Sequence, residues 1–284
     1  MVVPITWDPS PDNLAIQSEE AEALYAGIRR GDYLDVEKLK KSGVVAQLDA
    51  LSEYYRSLYG DTAEINTPER AELREKILRE FLSIGSARAE GAGKVDALGR
   101  IRYVYDGPLE KGYRVELVLG LPASGKSHRV TDPDSCAMRA FILDCDVIKS
   151  FLPEFRESHG GAADAVHAES FVIMANALEA FTVGDMKGTN VVLPIVAPDM
   201  DELMTKYIRP FESAGYDVRA KFVECPENVS VARNVARQLD TGRVFASAVA
   251  FSFGSKPAEV YDKLKDMINS KGFPYGIGSL KTLR

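Results

Sequence analysis

A short glycine-rich stretch has the residue types and the spacing of a phosphate-binding loop. Residues 118–127, VLGLPASGKS, match the pattern G-x-x-x-x-G-K-[ST] at Gly120, Gly125, Lys126 and Ser127. In this pattern backbone N–H groups point at phosphate oxygens, the lysine contacts the β- and γ-phosphates, and the serine hydroxyl binds Mg²⁺. An apolar run precedes the loop and a helix can follow it, whereas a chance match in a chain of this length has a probability of roughly 1%. The predicted nucleotide-binding residues are Gly120, Leu121, Pro122, Ala123, Ser124, Gly125, Lys126, Ser127 and His128.

Two aspartates follow the next predicted strand. The segment FILDCD places Asp144 and Asp146 two residues apart, so both side chains can point toward the phosphates. One carboxylate can support Mg²⁺ or the loop, and the other can accept the proton of an attacking hydroxyl group. For Asp144, capping of the following helix is the alternative interpretation. We expect Asp146 to be the base, with Mg²⁺ held by Ser127 and by Asp146, directly or through water.

The same segments argue against two classes of P-loop protein. No Asn-Lys-x-Asp signature is present, which argues against a switch GTPase, and no Glu follows the aspartates as in motor ATPases. The pattern therefore favours a small-molecule kinase.

A predicted helix supplies cations for the transferring phosphoryl group. In SVARNVARQLDTGRVF, Arg233 and Arg237 are four residues apart on one helix face, and Arg243 follows Gly242 at the helix end. Guanidinium groups fit phosphate oxygens in forked pairs. Two helical arginines are more often a solvated face, but the phosphate loop favours a role in the site. All three arginines are catalytic candidates.

An α/β fold must position these residues. The chain is predicted helical up to about residue 84, and the glycine-rich residues 85–93 form a predicted linker. Beyond it, the apolar strands IRYVYD, YRVELVLG, AFILD, NVVLPIV and VRAKFVE alternate with helices such as 169–186. This alternation predicts a three-layer P-loop NTPase fold with a mostly parallel sheet. We expect a helical N-terminal region over 1–92 and a P-loop domain over 93–284.

Composition limits the compartment and the partners. The net charge of −7 disfavours nucleic acid and anionic membranes as partners. The three scattered cysteines have no metal-ligand spacing and fit reduced thiols. The chain start lacks a basic segment and no apolar run reaches 18 residues, so we expect no signal peptide, no membrane span and a cytoplasmic location.

Six segments in chain order, over roughly residues 113–245, resemble the zeta-toxin family of P-loop kinases. They are GLPASGKS, ILDCDVIKSFLPEF, GAADAVHAES, GTNVVLPIV, GYDVRAKFVECP and ARNVARQLDTGRVF. The resemblance implies transfer of phosphate from ATP, with Mg²⁺, to the 3′-hydroxyl of the amino sugar in UDP-N-acetylglucosamine. It also implies a toxin held inactive by a small helical antitoxin.

The resemblance also implies roles for individual residues. Lys126 binds phosphate, Ser127 holds Mg²⁺ and Asp146 is the base. Two of the three arginines hold ATP and the moving phosphate, with Arg237 and Arg243 favoured. Substrate contacts fall on Asp144, His167, Glu169 and Ser170, although a helix-capping or partly buried role is equally open for His167.

One segment departs from the family pattern. Where the family has Glu-Gly-Thr against the sugar nucleotide, this chain has VVLPIVAPD, with Pro194 near the position of that glutamate. The resemblance implies UDP-N-acetylglucosamine as acceptor, and this departure leaves a related nucleotide sugar or another small hydroxyl compound open. The alternatives are another acceptor, such as a polynucleotide end or an NAD-like dinucleotide, or a non-catalytic nucleotide-binding module. The N-terminal helices can regulate the site in cis, shape the acceptor pocket or simply pack.

Overall fold

The computed structural model describes most of the kinase-like segments and part of the N-terminal region. It describes residues 35–84, 94–95, 101–102, 108–126, 138–197, 199–244, 246, 251–271 and 277–283, with isolated positions 23, 26, 27 and 30. The predicted linker over 85–93, Ser127, His128 and the predicted boundary between residues 92 and 93 lie outside the described residues.

A parallel five-stranded sheet forms the centre of the fold, in the order β4-β5-β3-β6-β7. A separate antiparallel pair joins β1 and β2. The strands are β1 Lys94–Val95, β2 Ile101–Arg102, β3 Arg114–Leu119, β4 Phe141–Ile142, β5 Val191–Ile195, β6 Asp217–Val223 and β7 Ile277–Leu283. After the exposed Arg114, strand β3 is buried and apolar on both faces apart from Glu116, which pairs with Lys221 of β6 (2.9 Å). This pattern is typical of a strand at the centre of a covered sheet.

Helices pack around this sheet. They are α1 Val36–Lys40, α2 Gly43–Tyr59, α3 Pro68–Ile84, α4 Cys145–Lys149, α5 Pro153–Glu157, α6 His167–Thr182, α7 Met200–Ser213 with a π-helical stretch at Leu203–Ile208, α8 Glu227–Thr241 and α9 Lys256–Lys271. Short 3₁₀ turns lie at Thr62–Glu64 and Gly161–Ala163. The predicted α/β fold with a mostly parallel sheet and a preceding helical region is confirmed. None of the helices in the described part of the chain is long and apolar enough to cross a membrane.

The N-terminal helices share hydrophobic cores with the α/β part. From α3, Ile77 and Phe81 enter the main core against the sheet, and the ring of Phe81 meets that of Phe141 edge-on at 5.2 Å. A second core joins α1 and α2 to the segment just before α6 and to α8; its members are Leu39, Val44, Val45, Leu48, Leu51, Tyr55, Ala162, Ala165, Val231, Ala232, Val235 and Val244. The packing therefore ties the N-terminal helices to the arginine-bearing helix α8.

Candidate active site

The glycine loop leaves the carboxyl end of β3 and holds its own lysine. The Lys126 ammonium donates hydrogen bonds to the carbonyl oxygens of Gly120 (3.0 Å) and Leu121 (2.6 Å). Gly125 has a φ of 101°, which favours glycine, and a side chain there would face open space. The buried Ser230 hydroxyl of α8 donates to the carbonyl oxygen of Pro122 (2.5 Å). The loop is therefore fastened both by its own lysine and by helix α8.

Burial and two carboxylates set the charge of the loop lysine. Burial lowers the pKa of Lys126 to about 8, while the negative charges of Asp146 and Asp144 act in the opposite direction. Because these charges act on the ammonium group, the two aspartates and Lys126 form one electrostatic unit. The structure thus brings the predicted base and the predicted phosphate-binding lysine together.

Asp146 lies among three cations. Its carboxylate accepts a short hydrogen bond from Arg243 and lies 3.4 Å from the Lys149 ammonium and 3.5 Å from the Arg237 guanidinium. Burial alone would raise the pKa of Asp146, but Arg243, Lys149 and Arg237 hold it well below its usual value. We call Asp146, Lys149, Arg237 and Arg243 the Asp146 cluster. Its excess of positive charge suits a phosphoryl group.

Asp144 caps helix α4, as its alternative interpretation predicts. Its carboxylate accepts a hydrogen bond from the backbone N–H of Asp146 (2.9 Å) at the N-terminus of the helix. Burial and the charge of Asp146 raise the pKa of Asp144 to about 6. The two neighbouring carboxylates therefore differ in proton affinity: Asp144 takes up a proton as pH falls through about 6, whereas Asp146 stays ionised to much lower pH.

The residues of the VHAES segment separate into two environments. His167 is close enough to the Asp146 cluster for its charges to act on the ring: burial, Lys149 and Arg243 lower the pKa of His167 to about 3. Ser170 is fully buried, and its hydroxyl donates to the carbonyl oxygen of His167 (2.6 Å).

Glu169 is fully buried and binds the N-terminal region. It accepts hydrogen bonds from Nε of Arg70 (2.8 Å) and Nε of Arg74 (2.6 Å), both on α3. Arg70 also donates to Glu154 of α5 (2.7 Å). Burial of the carboxyl would raise the pKa of Glu169, but the two arginines and Thr62 hold it below its usual value. The Glu169 carboxylate therefore fastens α3 to α6.

Lys149 belongs to the Asp146 cluster although the sequence analysis did not select it. Its side chain is almost fully buried, and it lies one helical turn after Asp146 on α4. The available signal is the spacing: a basic residue three positions after a helical carboxylate lies on the same face. Lysines at this spacing are common on exposed helices, so burial was needed to single it out.

Two carboxylates offer oxygen ligands for Mg²⁺. One ligand atom each from Asp144, Cys145 and Asp146 lie within 4.8 Å of one another. The carboxylate oxygens suit Mg²⁺, whereas the Cys145 thiol does not, and burial raises its pKa to about 12. The chemistry of the two aspartates therefore fits the predicted metal.

Pro194 lies near the end of β5, where the pairing with β4 stops. The carbonyl oxygens of Asn190 and Val192 accept hydrogen bonds from Phe141 (2.7 Å) and Leu143 (2.9 Å). Alternate residues of a strand face the same edge, so the Pro194 nitrogen faces the same side of β5 as these two carbonyl oxygens. Proline has no N–H with which to continue the ladder past Leu143, so the pairing with β4 ends there. The proline also leaves this position with no acidic side chain.

The arginines of α8 differ in their position, which gives the first prediction. Arg237 reaches the Asp146 cluster, whereas Arg233 is exposed and lies near the Cys225 sulfur (3.9 Å). We expect Arg237→Ala to lower kcat about 100-fold, the scale of removing one charged stabiliser of a transition state. Arg233→Ala, one helical turn away, is the matched control and should change kcat less than about twofold. Phosphorylated product is measured by mass; equal losses in both variants would contradict the assignment.

Comparisons with known proteins identify the family and agree with the fold. A family model described as Zeta toxin matches residues 110–252, half of the chain. A solved complex of AvrRxo1-ORF1 and AvrRxo1-ORF2 with sulphate ions is 18% identical with a TM-score of 0.52, covering 81% of this chain and 67% of that chain. The native complex gives 18% identity and a TM-score of 0.50, with 81% and 66% coverage. At this identity the likeness shows the fold alone. A sequence search of curated proteins gives no match.

The match to the family model spans the glycine loop, both aspartates and helix α8. The chain therefore belongs to the zeta-toxin family, whose members are kinases, and it is a phosphotransferase.

Proposed function

We propose that this kinase transfers the γ-phosphate of ATP to a sugar hydroxyl of UDP-N-acetylglucosamine or a related nucleotide sugar. The observation that carries the proposal is the Asp146 cluster beside Lys126: one ionised carboxylate among cations that fit phosphate oxygens. A module that only binds nucleotide does not need a base in this position.

In this proposal Asp146 acts as the base. The acceptor hydroxyl gives its proton to Asp146, its oxygen forms the new bond to the γ-phosphorus, and the bond to the β–γ bridging oxygen breaks to release ADP. Arg237 and Arg243 contact Asp146 in the structure. We infer that they turn to the phosphate oxygens when ATP binds, because guanidinium groups pair with both carboxylates and phosphates. This exchange would leave the Asp146 carboxylate available for the acceptor proton.

Mg²⁺ would be held by Ser127 and by Asp146, directly or through water, as the oxygen donors of the aspartate pair allow. Bound Mg²⁺ neutralises charge on the β- and γ-phosphates. His167 lies beside the cluster and is neutral at physiological pH, so it can contact the acceptor as a hydrogen-bonding group.

Pro194 favours a second candidate acceptor. The position where the family has a sugar-contacting glutamate carries no acidic group here, although the strand itself is regular. A site without that carboxylate has lost a hydrogen-bond partner for a sugar hydroxyl. An NAD-like dinucleotide is therefore the alternative acceptor, ahead of a polynucleotide end, which the acidic chain disfavours.

A toxin role and a small helical antitoxin as partner are part of the proposal. They rest on the family and on the AvrRxo1-ORF1 neighbours, which were solved as two-chain complexes.

A panel assay tests the acceptor. The protein is incubated with Mg²⁺ and γ-labelled ATP plus UDP-N-acetylglucosamine, UDP-glucose, NAD or a 5′-hydroxyl oligonucleotide, and products are identified by mass. We expect one phosphate added to a nucleotide sugar and none in the matched Asp146→Asn reactions. Label on NAD alone would replace the first candidate with the second. Label on no acceptor would contradict both.

A further inference from the structure

Arg243, which follows the C-cap of helix α8, packs against the backbone of the turn at Gly160 and Gly161. The backbone N–H of Val244 donates to the carbonyl oxygen of Gly160 (3.2 Å). A Cβ on Gly160 would lie 3.1 Å from Cα of Arg243, and a Cβ on Gly242 would lie 3.1 Å from the carbonyl oxygen of His159. The two backbone segments are therefore in direct contact, with no room for a side chain between them.

Helix α2 holds this turn from the other side. A Cβ on Gly161 would lie 2.5 Å from Cζ and 2.9 Å from Cδ2 of the Tyr55 ring, which is buried. Three residues after Gly161, the Asp164 carboxylate accepts a hydrogen bond from the Ser52 hydroxyl of α2 (3.1 Å). The aromatic ring therefore packs directly on the backbone at Gly161, and a hydrogen bond fixes the segment that follows.

The same core extends to the residue after the arginine. Val244 is fully buried in the core that contains Tyr55, and Arg243 lies between this anchored residue and the Gly242 cap. A continuous set of contacts thus runs from α2 through the 160–161 turn to the backbone of Arg243, whose guanidinium donates to Asp146.

We propose that α2 positions Arg243 for phosphoryl transfer by holding the 160–161 turn, which makes Tyr55 and Gly161 positioning residues. The inference rests on the proposed kinase function. Its physical basis is that small displacements of a catalytic group are expensive: an error of about 1 Å can cost about 100-fold in rate. Helix α2, outside the segment matched by the family model, is then part of the catalytic apparatus.

Gly161→Ala is the direct test. Gly161 does not have a positive φ, so the added methyl group acts through the Tyr55 ring and not through backbone strain. We expect kcat to fall at least about 10-fold while KM for ATP changes less than about threefold, since the loop and Lys126 are untouched. Replacing Tyr55 with Leu in the same chain makes room for the methyl group and should recover at least half of the lost activity on a logarithmic scale.

A double-mutant cycle separates positioning from simple destabilisation. If Gly161 acts through Arg243, then Gly161→Ala should cost less than about twofold in an Arg243→Ala background. Equal losses in both backgrounds, or no loss in the wild-type background, would overturn the proposal. Ile77→Ala, in the core of α3, is the control for lost stability: below its melting temperature it should keep the kcat of the wild type.

Two further measurements keep the outcomes distinct. If Gly161→Ala does not fold, Tyr55→Leu alone replaces it in the cycle. We then expect a smaller loss of kcat in the wild-type background and almost none in the Arg243→Ala background. If the wild type phosphorylates no acceptor, the proposed function has failed. The same double-mutant cycle is then measured as the rate of ADP formation from ATP with water as acceptor. A loss of this rate in the wild-type background alone supports the positioning role, and equal losses in both backgrounds overturn it.

Discussion

Asp146→Asn is expected to lower kcat at least about 100-fold while the affinity for ATP stays within a few-fold of the wild type. The rate loss follows from removing a positioned base, which typically contributes 10²–10⁴-fold. Affinity is retained because the amide keeps the shape of the side chain, while the cations Arg243, Lys149 and Arg237 stay in place and lose a negative charge that competes with phosphate for them. Steady-state kinetics and a separate ATP-binding titration measure the two quantities.

The neighbouring aspartate supplies the matched control for this experiment. Asp144→Asn keeps a good helix-capping residue, since Asn and Asp are similarly effective at the N-cap. We expect its kcat to fall less than about 10-fold. A normal kcat in Asp146→Asn, or a larger loss in Asp144→Asn, would show that the base has been assigned to the wrong carboxylate.

Lys126→Ala is expected to impair both ATP binding and turnover. The ammonium group donates hydrogen bonds to two loop carbonyl oxygens, and in this motif the lysine is the charged contact for phosphate. Its loss should weaken ATP binding at least about 10-fold and lower kcat about 100-fold or more, because the contact strengthens as charge develops on the phosphoryl group. Calorimetric titration with ATP and product formation provide the two readings.

The pH dependence of binding gives an internal check on this lysine. Burial lowers the pKa of Lys126 to about 8, so the free protein carries a charged lysine below that pH and loses the charge as pH rises through it. ATP binding favours the protonated form, and affinity should therefore decline between pH 7 and pH 9. Lys126→Arg remains charged over this range and should bind more weakly at pH 7 but without that decline. A decline that persists in Lys126→Arg would point to a different titrating group.

Local sequence patterns predicted the chemistry of the site better than they predicted which residues contact one another. The glycine loop and the aspartate pair are recognisable because their function depends on short spacings. That the charge of Asp146 acts on Lys126 follows from parallel strands that end at one edge of the sheet. By contrast, the burial of Lys149 depends on packing between segments far apart in sequence. The same holds for Glu169, predicted near the acceptor but bound to two arginines of α3. Residues 35–64 carry no motif, and only the folded chain shows that they share a core with α8.

Helix α8 contacts the nucleotide site at two points, Ser230 on the loop and Arg237 on the Asp146 carboxylate. These residues are seven positions apart, which is close to two full turns and a rise of about 10 Å. Adding or removing one residue between them would rotate one contact by about 100° away from the other. The number of residues between Ser230 and Arg237 is therefore fixed by helix geometry. Substitutions on the outer surface of this part of α8 are compatible with both contacts. An insertion or deletion would break either the hydrogen bond of Ser230 to the loop or the contact of Arg237 with Asp146.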